Sequence, residues 1–230
     1  GGRFRASFRP LNDAIIDGRI QGVVGIVGCN NARCTQDKHH NYLTKELIKR
    51  DYLVVQTGCG AISTAKCGLM ESEAMEHAGE GLKSICEAVG IPPVLHMGSC
   101  VDNSRILMAA TEVVKAGGLG NDISDLPAAG SAPEWMSEKA ISIGQYFVAS
   151  GVYTVFGLAL PVEGAPVFKN HLFNELEDIY GGKWDMVDDP YEHARKMIAH
   201  IDKKRKDLGI DKARDRVLMD MADRQKLEAA

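Results

Sequence analysis

Pro93-Val94-Leu95-His96-Met97-Gly98-Ser99-Cys100-Val101-Asp102-Asn103-Ser104-Arg105 reads as a buried strand from Val94 to Met97, a tight turn at Gly98-Ser99, an exposed Cys100 and a helix that begins near Asn103. The same construction occurs twice upstream. Gly22-Val23-Val24-Gly25-Ile26-Val27-Gly28-Cys29 is an apolar strand that ends in Gly-Cys, and Tyr52-Leu53-Val54-Val55-Gln56-Thr57-Gly58-Cys59 is another. Glycine at a strand end suits a backbone that must turn sharply or run close to a ligand. In an open α/β sheet, ligands gather outside the carboxyl ends of the strands. Three neighbouring parallel strands would therefore bring Cys29, Cys59 and Cys100 to one edge.

Any one of these cysteines alone reads as a small buried apolar residue. Three at equivalent strand ends point instead to a shared metal or cluster site. Soft thiolates favour iron-sulfur, nickel, copper(I) or zinc over magnesium and calcium. Three ligands do not complete a tetrahedral site, so a fourth comes from elsewhere or one position stays open for chemistry.

The remaining elements fall into place around these strands. A short helix over Leu11–Asp17 precedes the first strand, and Tyr42–Arg50 is helical, with Tyr42, Leu43, Leu47 and Ile48 as its apolar stripe. Ala61–Cys67 starts a helix whose N–H groups face back to Cys59, where a positive helix end stabilises thiolates. Helices over Gly81–Val89 and Asn103–Ala116 flank the third strand, and Ala128–Ala132 is a short fourth strand. Ser131-Ala132-Pro133-Glu134 has capping-box spacing, which predicts a helix from there to about Ala149 that buries Met136, Ala140, Ile143 and Phe147. Val152–Phe156 is a fifth strand, Leu160–Val167 a loop, and helices near Lys169–Tyr180 and Tyr191–Leu208 close the pattern. Asp202-Lys203-Lys204-Arg205-Lys206-Asp207 reads as a solvated helix face. His96 reads as a core histidine, and His39 and His40 as loop residues, solvated or relaying protons near Cys29. Strands alternating with helices predict a Rossmann-like α/β fold, a mainly parallel sheet in three α/β/α layers. No Gly-x-Gly-x-x-Gly or Walker loop follows the first strand, so a nucleotide signature is absent.

At 230 residues, with no linker or low-complexity break, the chain reads as one domain over 1–230. Hydrophobic content of 45% and charged content of 25% are those of a globular chain. A formal net charge of −4 argues against nucleic acid as a main partner. No apolar run approaches the roughly 20 residues of a membrane span. Six cysteines in such a chain favour thiol or metal chemistry over disulfides, which predicts a reducing, cytoplasmic compartment. The opening Gly1-Gly2-Arg3-Phe4 starts as though in mid-chain, which predicts the C-terminal domain of a longer protein; an engineered Gly-Gly scar is the alternative reading.

Gly28-Cys29-Asn30-Asn31, Thr57-Gly58-Cys59-Gly60-Ala61, His96 to Arg105 and Ser131-Ala132-Pro133-Glu134-Trp135-Met136-Ser137-Glu138-Lys139-Ala140 together carry a resemblance over nearly the whole chain. The sequence resembles the C-terminal domain of the anaerobic nickel-iron carbon monoxide dehydrogenases. That resemblance implies an oxidoreductase interconverting CO and water with CO2, two protons and two electrons at a nickel-iron-sulfur cluster. It implies that Cys29 and Cys59 bind irons of the cluster and Cys100 its nickel-bearing edge. It also implies that Lys139 hydrogen-bonds the carboxylate formed from substrate and that Ile143 walls the substrate pocket. Further 4Fe-4S clusters and the remaining ligands would lie in an N-terminal half, so the 230-residue chain alone is expected to be inactive. A homodimer, a low-potential carrier such as ferredoxin and an acetyl-CoA synthase subunit are the implied partners. Cys34, Cys67 and Cys86 match no ligand position and read as packing residues. Two other readings stand beside this one. The related hybrid-cluster (prismane-type) proteins resemble this fold, although the Cys100 and Ser131–Lys139 motifs weigh against them. The other is a non-catalytic, metal-free or zinc-bearing interaction fragment.

Overall fold

The computed structural model describes residues 8–212. β1 (Gly22–Ile26) is the central strand, paired in parallel with β2 (Tyr52–Gln56) on one side and β4 (Ala128–Ala132) on the other. β3 (Val94–His96) extends the sheet beyond β2, while β5 (Thr154–Phe156) and β6 (Trp184–Met186) extend it beyond β4. The strand order is β3-β2-β1-β4-β5-β6, and each neighbouring pair runs parallel. Val24, Ile26, Val54, Val94 and Val155 are fully buried, the continuous apolar run expected of strands covered on both faces.

Helices supply the crossovers that parallel strands require, α4 (Glu80–Val89) among them between β2 and β3. α2 (Lys38–Lys49) and α9 (Pro190–Asp207) lie on the face to which β2 turns Gln56, whose amide donates to Thr44 Oγ1 at 2.8 Å. Leu43, Leu47, Ile48, Met197 and Ile201 fill that layer with no residual exposure. Leu53 and Val55 turn the other way, toward α1 (Arg9–Ile16), α5 (Ser104–Ala116) and α6 (Glu138–Ala149). The result is a three-layer α/β/α domain. Its order reverses between β1 and β4, so the crevice at the carboxyl ends opens at that switch point.

Several expectations are corrected. Ser131 and Glu134 do not open a helix: Ser131 is a buried residue of β4, and α6 begins at Glu138 behind Ser137. Ser131 Oγ instead bonds His193 Nε2 at 2.9 Å, and Met136, expected inside, is exposed ahead of the helix. β6 is an additional strand: Trp184-Asp185-Met186 has none of the β-branched residues that mark β3 and β5. The segment over 169–180 is helical, but through α7 (Pro166–Asn170), a π-helical turn His171–Glu175 and α8 (Leu176–Tyr180). His96 lies on the edge strand and is exposed, its Nδ1 accepting from Gly98 N. Arg205 is buried rather than solvated, because its helix face meets the carbonyls of the α1–β1 loop.

Candidate metal centre

β1, β2 and β3 end at one edge, and a cysteine follows each. Cys29 leaves β1 through Val27 and Gly28, Cys59 lies in the first turn of α3 (Gly58–Lys66), and Cys100 opens a 3-10 turn over Cys100–Asp102. Backbone bonds tie the three exits together: Gly58 N donates to Gly98 O at 3.1 Å and Gly60 N to Gly28 O at 3.3 Å. Gly58 has φ +59°, and a Cβ there would stand 3.1 Å from Cys100 Cβ. A residue without a side chain is what lets the Cys59 and Cys100 backbones approach. At Gly98 φ is +125°, and a Cβ would reach within 2.7 Å of the Asp102 carboxylate. That carboxylate accepts from Ser99 N (2.8 Å) and Oγ (2.9 Å), bonds that hold it below the usual carboxylate range and close the turn before α5.

Cys29, Cys59 and Cys100 line one cavity of about 90 Å³, together with Ser137, Lys139 and Ile143. All three thiols are free of disulfides, and Cys59 is the exposed one. Lys139 Nζ lies 3.8 Å from Cys100 Sγ, and Ser137 Oγ lies 3.8 Å from Cys29 Sγ. Both reach the cavity from the start of α6, on the far side of the switch point from β1. α3 presents its N-terminus on the same edge, the positive end of its dipole. The helix starts three residues earlier than Ala61, so Cys59 is part of it. Asn103, 3% exposed, fixes the Cys100 exit: its amide donates to Cys100 O at 2.9 Å while its Oδ1 accepts from Thr57 Oγ1 at 2.5 Å.

Among the described residues no group of three or more His, Cys, Asp or Glu side chains is arranged to chelate a single ion. The three thiols surround a void instead of meeting at a point. That arrangement fits a polynuclear centre, in which each sulfur bonds its own metal atom, and the soft donor set fits iron and nickel.

Behind Cys29 lies a polar layer that sequence reasoning missed. His40, placed in a loop by the sequence reading, is fully buried in the first turn of α2, and its Nε2 bonds Cys29 O at 2.8 Å. Burial pushes the His40 imidazole below its ordinary range. Glu134, also fully buried, accepts from His39 N (3.0 Å) and Asp37 N (3.3 Å) and so caps α2 rather than its own helix. Asn30, next to Cys29, donates to Asp37 Oδ1 at 2.7 Å and to Ser63 Oγ at 2.9 Å. Burial raises the Asp37 carboxyl, but Lys66 and bonds from Ser63 and Asn30 outweigh it and hold the group below the usual range. The signal for this layer was the pair Asn30 and Asp37 ahead of α2; the local spacing of Glu134 from Ser131 pointed elsewhere, because its partners are about a hundred residues away.

The other cysteines stay apart from the cavity. Cys86 is a core residue whose thiol burial pushes up to about 11. Cys34 is half-buried, and Cys67 is exposed, accepting from Asn41 Nδ2, so packing describes Cys86 but not Cys67. A larger apolar cavity, about 300 Å³, lies between α1, α5 and the sheet, and no titratable side chain lines it.

A doubly wound α/β sheet whose switch-point crevice is lined by three free thiols defines the class of fold and site. Residues 3–191 match the model of the Prismane/CO dehydrogenase family, and the chain belongs to that family. Carbon monoxide dehydrogenase 1 of Methanosarcina mazei is 53% identical over 202 residues, 88% of this chain and 32% of that protein. Nickel-free carbon monoxide dehydrogenase of Thermococcus sp. AM4, as isolated, superimposes with a TM-score of 0.84 at 57% identity, over 87% of this chain and 31% of that one. An acetyl-CoA synthase/carbon monoxide dehydrogenase, described by NiZn[Fe4S4] and NiNi[Fe4S4] clusters in its alpha subunits, gives a TM-score of 0.84 at 39% identity, over 88% and 31%. The chain thus spans about a third of the length of the curated relatives it matches. No helix among the described residues is long and apolar enough to cross a membrane.

Proposed function

We propose that this chain forms one wall of a nickel-iron-sulfur centre at which CO and water are interconverted with CO2, protons and two electrons. The observation that carries this reading is the meeting of three free thiols and one lysine ammonium at a single cavity. Cys29, Cys59 and Cys100 would hold the group by their sulfurs. Such a group supplies an electron-rich soft site for CO and a Lewis-acidic iron that lowers the pKa of water. Lys139 then offsets negative charge developing on a substrate oxygen, an interaction worth most where water is excluded. Ile143 contributes an apolar wall to the pocket. His40 and Asn103, each bonded to a cysteine carbonyl, hold Cys29 and Cys100 in place while substrate turns over.

The remaining ligands, the further 4Fe-4S clusters and a homodimer interface belong in this reading to sequence outside the chain. The same holds for docking of a ferredoxin-type carrier and an acetyl-CoA synthase subunit. A reducing cytoplasm suits exposed, unpaired thiols. The test is anaerobic purification of the full-length protein, followed by metal analysis and CO oxidation with a viologen acceptor. Nickel with iron and CO-dependent reduction of the dye are expected, whereas the 230-residue chain alone should give none. Oxygen-bridged iron without nickel would move the assignment to the hybrid-cluster branch of the family; absence of both metals would leave an interaction fragment.

A further inference from the structure

α6 begins behind Ser137, whose extended backbone (φ −118°, ψ 159°) is that of a helix N-cap. An N-cap serine ordinarily turns its hydroxyl onto a backbone N–H two or three residues on. Ser137 makes no such bond. Its Oγ lies 3.8 Å from Cys29 Sγ instead. The Cys29 main chain is not free to drift from this contact, because buried His40 holds its carbonyl at 2.8 Å.

The three sulfurs also differ from one another. Cys100 faces the Lys139 ammonium at 3.8 Å, Cys29 faces a neutral hydroxyl, and among the described residues no side-chain donor reaches Cys59 Sγ. We infer that Ser137 is a positioning residue for the metal centre, donating its hydroxyl proton to the Cys29 thiolate and so setting the electron density at the metal atom Cys29 binds. This inference rests on the cluster reading above. The physical basis is general: a hydrogen bond to a ligating sulfur withdraws charge from it, favours the reduced cluster and raises its potential. A thiol is a poor acceptor and a thiolate a good one, so the O–H···S contact gains strength once metal has displaced the proton.

The experiment compares full-length Ser137→Ala and Ser137→Thr enzymes with the wild type by iron and nickel content and by redox titration of the centre's paramagnetic signal. Ser137→Ala should retain its metal and titrate at lower potential, with the reduced-to-oxidised ratio at fixed potential changed about tenfold, or ~59 mV for a one-electron couple. Ser137→Thr, which keeps the hydroxyl, should titrate with the wild type. If Ser137→Ala loses iron, retention by Ser137→Thr supports the hydroxyl contact and equal loss from both overturns it. Unchanged potential in a fully loaded Ser137→Ala enzyme also overturns it. A wild-type protein without iron or nickel overturns the cluster reading itself, a result distinct from either.

Discussion

The two edges of the sheet each hold a basic side chain beside the backbone, and they use it in opposite ways. At the amino edge Arg205, 4% exposed, spends its guanidinium on carbonyls. Nη1 donates to Ile15 O at 2.9 Å and Gln21 O at 3.1 Å, and Nη2 to Ile210 O at 2.7 Å. Those bonds fasten the end of α9 to the loop between α1 and β1. At the carboxyl edge Lys139 is exposed, and its contact in the cavity is one thiol. A buried cation bonded to the main-chain carbonyls around it serves the fold. A cation left with spare donors beside three free thiols has something to offer a ligand. The difference in saturation, more than the difference in charge or position, separates the two edges.

The largest effect should come from the thiols themselves. Replacing Cys29, Cys59 or Cys100 by alanine in the full-length enzyme should abolish nickel retention and CO oxidation, while Cys67→Ser should leave both unchanged. Metal analysis with a viologen assay decides it, and a fully loaded, active Cys100→Ala enzyme would break the contrast between the edges. Next comes Lys139. Lys139→Ala should keep the metal and lower kcat by roughly 10²–10³-fold, the loss typical of one preorganised donor in a dry site. Lys139→Arg should recover only part of that, because its planar fork places the donors differently. Near-wild-type turnover by a loaded Lys139→Ala enzyme would return the residue to the solvated surface.

Arg205→Ala should leave the site chemistry alone and act on the fold. It strips partners from several buried carbonyls at once, a cost of about 3 kcal/mol. Thermal unfolding should then fall by roughly 6–12 °C for a domain of this size. Equal stability would show that water replaces the guanidinium and that the amino edge is less closed than its geometry implies.

The gathering of three cysteines at the carboxyl edge was legible in sequence because its signals are local. Strand, glycine and cysteine follow one another within eight residues in Gly22–Cys29 and Tyr52–Cys59, so period and turn chemistry could be read together. The amino edge was not legible, for the opposite reason. Arg205 sits in a run of charges that reads as solvated, and what buries it is a set of carbonyls some 190 residues away. Glu134 misled for the same reason. Its spacing from Ser131 satisfies the capping-box pattern, yet Ser131 is committed to β4 and Glu134 caps α2. The resulting error of six residues in the start of α6 hid Ser137 while leaving Lys139 on the correct helix. His40 went unrecognised because a histidine beside polar neighbours carries no sign that a helix turn will bury it against Cys29 O.

The smallest effect concerns pH, and it bears on both edges. His39 and His200 are pushed down to about 4, each chiefly by burial, with His40 adding to the effect on His39 and Lys204 to that on His200. His193, fully buried against His39, is pushed well below its ordinary range by the same cause. Unfolded, these imidazoles bind protons near pH 6.5. Between about pH 6.5 and 4 the unfolded chain therefore holds more protons than the folded one, and stability rises with pH. The contribution is fully present above pH 6.5 and is lost as pH falls toward 4. The urea midpoint should accordingly be lower at pH 5 than at pH 7. His200 stacks on Tyr153 with ring centroids 4.6 Å apart and planes 22° apart, a packing that phenylalanine can reproduce without titrating. His200→Phe should narrow the difference between the two midpoints without removing it, because His39 and His193 remain at the other end of the sheet. If His200→Phe removes the difference entirely, the acid sensitivity belongs to the α9 side of Tyr153 alone; if wild-type midpoints coincide at pH 5 and 7, none of these imidazoles is held neutral by the fold.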